Sequence, residues 1–376
     1  MSDLTIAQRL QQEVIEPMKA RYVGRDEVID LIGLALVAGE HLFLYGPPGT
    51  AKSALVREFS SLVQGRYFEY MLTRFSEPNE IFGPIDIGKL REGVVATVTS
   101  SMLPEAEFAF LDELFNANSA ILNNLLTVLN ERVYRRGAET HHLPLLSLFS
   151  ASNHLPEDDA LQALFDRFLI RCQVNNLPRE QLPHLLTSGW LLEGSRLLQS
   201  TITAGDIRQL SSQIRQVSFT AMLPSYAEVV VKVRDLGIAL SDRRSVKILK
   251  LMAASAVLCG RTEVVPGDMW VLRYVWDREE QIQPLATLVQ GVLEQQSKDV
   301  LLHSLATPHP TVDAESLALQ LAEIKKEIES SPKTLTSLAR LRERVSILSD
   351  KAAWVADETA RQHLLSLARE YLQQLK

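Results

Sequence analysis

The sequence predicts an α/β domain built on a parallel sheet with helices on both faces, followed by an all-α domain and a C-terminal helical arm. Three observations carry that expectation. Five short apolar runs, at 41–45, 67–70, 107–111, 145–150 and 168–174, are bounded by turn residues and read as buried strands. Helical patterns separate most of them, which is how parallel strands come to lie between helical layers. From about residue 177 the strand signal fades and helical spacing takes over. The expected domains are therefore 1–176, 177–300 and 301–376.

The N-terminal residues Met1-Ser2-Asp3-Leu4-Thr5 show no basic region ahead of an apolar run, so no secretory signal is read there. The most apolar stretch, 28–45, is broken by Asp30, Glu40 and His41, and reads as a helix followed by a strand instead of a membrane span. A cytoplasmic protein is the expectation. With 376 residues, 46% hydrophobic and 23% charged, the composition is that of a soluble globular chain and excludes a disordered or fibrous one. Lys and Arg number 39 against 46 Asp and Glu, a net charge of −7, the wrong sign for a protein held to nucleic acid chiefly by charge. Cys172 and Cys259 are too few for a disulfide framework or a multi-thiolate zinc site, and read as small buried hydrophobes.

In the second domain helical patterns surround Pro178, Pro224 and Pro266, since proline is best tolerated in a first turn. Trp190, Trp270, Trp276 and Trp354 read as core or interface anchors. A turn-rich break, Thr307-Pro308-His309-Pro310, precedes the arm. Beyond it Leu317, Leu321, Ile324 and Ile328 form one apolar stripe, and Leu335, Leu338, Leu341, Val345 and Leu348 a second, joined through Ser331-Pro332. A third helix is expected over about 350–375. These helices either project as an interaction arm or complete the second domain.

The strongest chemical signal is Gly46-Pro47-Pro48-Gly49-Thr50-Ala51-Lys52-Ser53, placed after an apolar run and before a helical pattern, and these residues with Ala54 are the expected nucleotide contacts. It approaches the phosphate-loop form G-x-x-x-x-G-K-[ST]. Small residues let backbone N–H groups curl around a phosphate, and the following helix N-terminus adds partial positive charge. Lys52 can reach the β- and γ-phosphates and the Ser53 hydroxyl can ligate Mg²⁺. Ala51 stands where the motif expects glycine, which is acceptable at a helical φ and costly at a positive one.

Nucleotide hydrolysis also needs carboxylates on a neighbouring strand. Phe108-Ala109-Phe110-Leu111-Asp112-Glu113 supplies them, with Asp112 lying 60 residues beyond Lys52. Asp112 is expected to hold Mg²⁺, directly or through water, leaving Glu113 free to polarise the attacking water. Leu148-Phe149-Ser150-Ala151-Ser152-Asn153 is an apolar strand ending in an amide that can orient that water. His141 and His142 are adjacent, so on a strand they point to opposite faces and do not chelate one metal together. No Asn-Lys-x-Asp guanine-recognition element occurs, which favours ATP over GTP.

The order phosphate loop, strand carboxylates, strand-end Asn153 resembles the AAA+ ATPases. Tyr22-Val23-Gly24-Arg25 resembles that superfamily's adenine-side segment, which implies Tyr22 and Val23 as nucleotide contacts. More narrowly, the Gly-Pro-Pro-Gly-Thr-Ala-Lys-Ser text resembles the MoxR form of the loop, where Ala51 is an expected variant. Glu69-Tyr70-Met71-Leu72-Thr73-Arg74-Phe75-Ser76, Ile81-Phe82-Gly83-Pro84 and Leu125-Leu126-Thr127-Val128-Leu129-Asn130-Glu131-Arg132 are similar to MoxR text, and the first two look most like its RavA-like subgroup. The resemblance covers about residues 20–300.

It implies further roles. Asp166-Arg167-Phe168 matches the segment whose arginine acts as a finger on a neighbouring subunit's nucleotide, with Arg171 as the competing candidate. Ser241-Asp242-Arg243 looks like the sensor-2 motif, placing Arg243, or the adjacent Arg244, on the γ-phosphate of the same subunit. The stretch 88–99 reads as a hairpin and corresponds to an insertion within helix 2 of this clade; a second hairpin is expected around 133–143. The implied function is Mg²⁺-dependent ATP hydrolysis by a ring, a hexamer, coupled to maturation or activation of another protein, often beside a von Willebrand factor A domain partner. RavA-like proteins can carry a β-rich insertion in their arm, but 312–376 shows no strand-rich stretch, so docking through such a module does not transfer. Two rival classes stand beside this one: a nucleic-acid motor or loader, and a nucleotide-dependent scaffold that hydrolyses little.

Overall fold

The structure is a computed structural model. It describes residues 5–137, 139–156, 158–192, 198–294 and 301–306, then helical positions scattered between 317 and 352, and 358–374. Two compact units emerge, Met1–Ala306 and Thr307–Lys376.

The first unit is organised by a five-stranded parallel sheet in the order β2-β3-β6-β1-β7. Its strands are β1 (Leu42–Tyr45), β2 (Tyr67–Met71), β3 (Phe108–Asp112), β6 (Ser147–Ser152) and β7 (Ile170–Gln173). Each matches one of the apolar runs. Leu42, Phe43 and Leu44 of the central strand and Phe108 to Leu111 of β3 are fully buried. Continuous burial, with no alternation, is what a strand covered on both faces requires. The pairing register sets Tyr45 level with Ser152 on one side and Gln173 on the other. β4 (Val133–Arg136) and β5 (Glu139–His142) form the expected separate antiparallel hairpin.

The helices are α1 (Asp26–Ala38), α2 (Lys52–Leu62), α3 (Ser119–Glu131), α4 (Asp159–Phe165), α5 (Leu182–Leu192), α6 (Ala204–Gln213), α7 (Leu223–Asp235), α8 (Asp242–Leu258) and α9 (Ile282–Leu293). α1 is buried from Val28 to Ala38, because the sheet lies on one side of it and α6 and α8 on the other. Gly39 ends it in a left-handed cap at φ 60°. Pro224 sits in the first turn of α7, and Pro266 opens a nine-residue 3₁₀ run, Pro266–Tyr274, where an α-helix was expected. Among the described residues, no helix is long and apolar enough to cross a membrane.

The stretch 88–99 departs from the expected hairpin. Asp86 caps a short helix, Ile87–Arg91, by accepting from the Gly88 and Lys89 N–H groups, so the chain coils before it can extend. Only the base pairs: Ile85 bridges Thr97, and Val98 N–H donates to Pro84 O at 2.8 Å. Gly83, at φ 106°, passes so close to Val98 that a Cβ would lie 2.0 Å from its carbonyl oxygen. Trp270 and Trp276 are core residues as expected, whereas Trp190 is 78% exposed on α5 and is no core anchor. Trp354 lies outside the described residues. Cys172 is buried, and Cys259 is only partly so.

Residues 301–306 were expected in the arm, but they pack on the first unit. His303 stacks on Trp270 at 4.6 Å, Arg273 donates to Leu305 O and Ser304 to Asp30. In the second unit Leu317, Leu321, Ile324, Leu341, Val345 and Leu348 share a core with Leu364, Ala368 and Tyr371 of α10 (Glu358–Gln374). Ile328 packs against that core. Leu335, Leu338, Ser331-Pro332 and Thr307-Pro308-His309-Pro310 lie outside the described residues.

Burial, with Lys19 adding its charge, pushes His303 down to about 4. The unfolded chain therefore binds the proton first, and stability present above pH 6.5 drains as pH falls toward 4. The loss from this group is about 3 kcal/mol. Urea unfolding of wild type and His303→Phe across pH 4–8 checks this. The difference in slope between them should vanish above pH 7, and equal slopes throughout would remove His303 as the cause.

Candidate functional site

Parallel pairing brings the C-terminal ends of β1, β3, β6 and β7 to one edge, and every sequence-predicted group of the phosphate loop and carboxylate pair emerges there. The loop leaves β1 at Gly46, whose N–H donates to Ser152 O at 3.1 Å. A Cβ on Gly46, at φ 151°, would lie 2.1 Å from Val174 O, so only glycine fits between loop and β7. Pro47 and Pro48 follow, then Gly49 at φ 80° with open space above it. Thr50 is buried and bonds back to Pro47 O.

Ala51 adopts φ 66° and ψ 19°, the left-handed conformation that was identified as costly for alanine. That turn starts α2 at Lys52 and sets Ser53 and Ala54 in its first turn. The Lys52 ammonium donates to Gly46 O at 2.9 Å and Pro47 O at 2.8 Å, so the loop wraps its own cation. Burial lowers the Lys52 pKa, opposed by the charges of Asp112 and Glu113.

Asp112 ends β3, and the chain then turns sharply: Glu113 sits at φ 52° and donates its N–H to Asp112 Oδ1 at 3.0 Å. Such strain in a non-glycine residue concentrates at sites that demand one side-chain direction. Asn153 lies one residue past β6, exposed, with Oδ1 2.8 Å from His154 Nδ1. Tyr22 donates its hydroxyl to Glu58 on α2, and Gly24 approaches Leu177 so closely that a Cβ would be 2.5 Å away. Tyr22 and Val23 are thereby held between α2 and the chain leaving β7.

A cleft of about 450 Å³ opens beside Gly46, walled by Pro47, Pro48, Asn153, Tyr45, Gln173 and Glu279. The last three were not singled out by sequence, since no motif distinguishes them. The strand register levels Tyr45 with Gln173, and Glu279 joins them through its hydrogen bonds to both.

The structure separates the competing arginines. Arg171 is fully buried, lies 3.8 Å over the Phe165 ring, and donates to Phe165 O, Phe168 O, Trp276 O and Asp277. Burial and the neighbouring Arg244 draw it down to about 10, with Asp277 opposing. Arg244 is likewise buried, on Asp277, Ala239 O and Val275 O. Arg167 differs in being only part-buried and outside the Asp277 cluster; its Nε, like that of Arg244, is buried with no hydrogen-bond partner. It lies in the turn entering β7, at the end of the sheet away from the phosphate loop.

Arg243 requires a correction. It does not reach the phosphate loop of its own chain, but is exposed and 3.4 Å from Asn130, at the C-terminal end of α3. That end is fixed by His41, just before β1, whose Nε2 lies 3.2 Å from Leu129 O. The reason is the seating of α8: Lys247 and Lys250 pair with Glu40, pinning the helix to the N-terminal ends of the strands.

Residues 8–212 match the family described as the MoxR domain in MoxR–vWA–β-propeller ternary systems, and residues 223–289 match an AAA lid domain. An uncharacterized protein of Methanocaldococcus jannaschii is 32% identical over 349 residues, 91% of this chain and 90% of its own length. A chaperone of Mycobacterium tuberculosis, MoxR1, is 26% identical over 278 residues, 69% of this chain and 72% of its own. A crystal structure from Cytophaga hutchinsonii, described as a "putative ATPase", superposes with a TM-score of 0.63 at 18% identity. It covers 78% of this chain and 95% of that one, a likeness of fold.

Ala51→Gly should relieve the left-handed strain and stabilise the protein by about 0.5–1 kcal/mol, the gain being reduced by the freer unfolded chain. The midpoint of urea unfolding reads this directly. A lower midpoint would mean that the Ala51 methyl packs usefully enough to offset its backbone cost.

Proposed function

The chain belongs to the MoxR family of AAA+ ATPases, and from that premise we propose that it hydrolyses ATP with Mg²⁺ as a ring, a hexamer, and remodels or activates a partner protein. The observation that carries the reading is a division of labour across the sheet. Lys52, Asp112, Glu113 and Asn153 converge at one edge, while Arg167, with an unpartnered buried Nε, and exposed Arg243 lie at the other. A guanidinium acting at the γ-phosphate beside Lys52 then comes from the neighbouring subunit, and both arginines are assigned that role. Arg167 is the finger and Arg243 the second sensor.

The residues fit the nucleotide and its metal. Gly49 leaves the loop open above a helix N-terminus, and Lys52 can exchange two carbonyls for phosphate oxygens. Ser53 and Asp112 would hold Mg²⁺, which neutralises charge on the phosphates and commonly takes only one or two protein ligands there. Glu113, swung clear of β3 by its left-handed turn, accepts the proton of the attacking water, and Asn153 orients that water. Arg167 from the neighbour stabilises charge on the transferred phosphoryl group. Tyr22 and Val23 flank the base.

The family description supports a von Willebrand factor A domain protein as the companion, and the Thr73–Ser76 and Ile81–Pro84 text supports a RavA-like placement within the family. A cytoplasmic location goes with this reading. We keep the division near 176 as the boundary between core and lid, both of which lie within the unit Met1–Ala306. The charge of −7 weighs against a nucleic-acid motor, and the intact Lys52, Asp112 and Glu113 against an inert scaffold.

Steady-state hydrolysis against protein concentration, paired with light-scattering mass, tests the reading. Specific activity should rise as the ring assembles. Glu113→Gln should lower kcat about 10²- to 10⁴-fold with ATP still bound. Arg167→Ala should cost the assembled protein about 10³- to 10⁵-fold. Concentration-independent turnover with a silent Arg167→Ala would sink the trans mechanism.

A further inference from the structure

Between the 3₁₀ run Pro266–Tyr274 and α9, two carboxylates two residues apart are bonded to different parts of the molecule. Asp277, largely buried, accepts from Arg171 on β7, from Arg244 on α8 at 2.7 Å and from the Ala239 N–H at 2.7 Å. Glu279 reaches the other way, accepting from the Tyr45 hydroxyl at 3.1 Å and from Gln173 Nε2 at 2.8 Å. Tyr45 is the residue before Gly46, and Glu279 itself walls the cleft beside Pro47, Pro48 and Asn153. One short strap, 276–281, therefore has an anion at the cleft and an anion on the helix that carries Arg243.

We propose that Glu279 is a positioning residue that makes this strap respond to the charge of the nucleotide in the cleft, and so couples nucleotide state to α8. The proposal rests on reading 46–53 as the ATP cradle. A carboxylate sharing a cleft of about 450 Å³ with a polyphosphate is repelled by it. ATP carries one negative charge more than ADP, so the repulsion is greater before hydrolysis. Relief comes by releasing Tyr45 and Gln173, which frees the strap that Asp277 ties to Arg244 and Ala239. ADP lets the carboxylate return. Nucleotide charge is thereby transmitted through an ion cluster with two arrangements, the physical requirement for coupling between sites.

Glu279→Gln removes the charge while leaving both partners bonded: the amide oxygen accepts from Gln173 Nε2, and the amide NH2 donates to the Tyr45 hydroxyl oxygen. Glu280→Gln, which makes the same net-charge change on an adjacent exposed residue, is the control. Calorimetric affinities for a non-hydrolysable ATP analogue and for ADP are measured in the full chain, with amide exchange at Ala239. Glu279→Gln should bind the analogue roughly three- to tenfold tighter, with a smaller gain for ADP that shrinks in high salt. In wild type the analogue should speed exchange at Ala239, and in Glu279→Gln it should not. An unchanged analogue-to-ADP ratio, an equal shift in Glu280→Gln, or nucleotide-independent exchange in wild type overturns the proposal. If wild type binds neither nucleotide, the ATPase reading falls first and takes this coupling with it.

Discussion

A buried charge cluster, Arg171–Asp277–Arg244, governs how the halves of the first unit are joined. A guanidinium with no exposed surface is tolerable only when its donors are satisfied, and Arg171 meets that need with the Phe165 and Phe168 carbonyls of its own turn and with the Trp276 carbonyl and Asp277 carboxylate from the remote strap. Burial would raise the Asp277 carboxyl, but Arg244 and Arg171 more than offset it and its pKa is lowered. Removing one member of such a cluster strands a buried charge and typically costs about 3–5 kcal/mol. The same cluster commits Arg171 and Arg244 to the interior, which leaves Arg167 and Arg243 as the candidates in the proposed mechanism.

The phosphate loop depends on this join more than its local sequence suggests. Gly46 is squeezed against Val174, at the end of the strand that bears Arg171, so the loop's first turn is shaped by β7 and not by the loop alone. Left-handed turns at Ala51 and Glu113 then aim Lys52 and the carboxylate toward the same edge. Neither conformation is cheap for its residue, and the surrounding packing has to hold both. The parallel register supplies that rigidity, since Tyr45, Ser152 and Gln173 are level within one continuously buried sheet.

Some elements were legible because a local pattern suffices to define them. Each of the five sheet strands stands out as a short, mainly apolar run between turn residues, and the spacing of Leu317, Leu321 and Ile324 announces a buried helical face. The stretch 88–99 misled because its β-branched residues favour extension while Asp86, a single capping side chain, coils the chain first. For Trp190 the sequence left core and interface open, and its exposure removes only the core alternative, since a large aromatic side chain is not thereby an interior one. The distinction between Arg167 and Arg171 had no local signal at all. It depends on Asp277 and Trp276, more than a hundred residues away.

By itself the sequence determined the chemistry on offer: a phosphate loop on one strand, paired carboxylates on another, an amide at a third, and helices after them. These are short-range patterns in which each residue's role follows from its immediate neighbours. Tertiary structure alone decided which arginine is free, that Arg243 faces away from its own loop, and that Glu279 meets the cleft beside Tyr45. Those outcomes depend on how α8 and the strap are seated. Pairing of Lys247 and Lys250 with Glu40 and the burial of Arg171 set that seating, through contacts between residues that are remote in the chain and adjacent only in the fold.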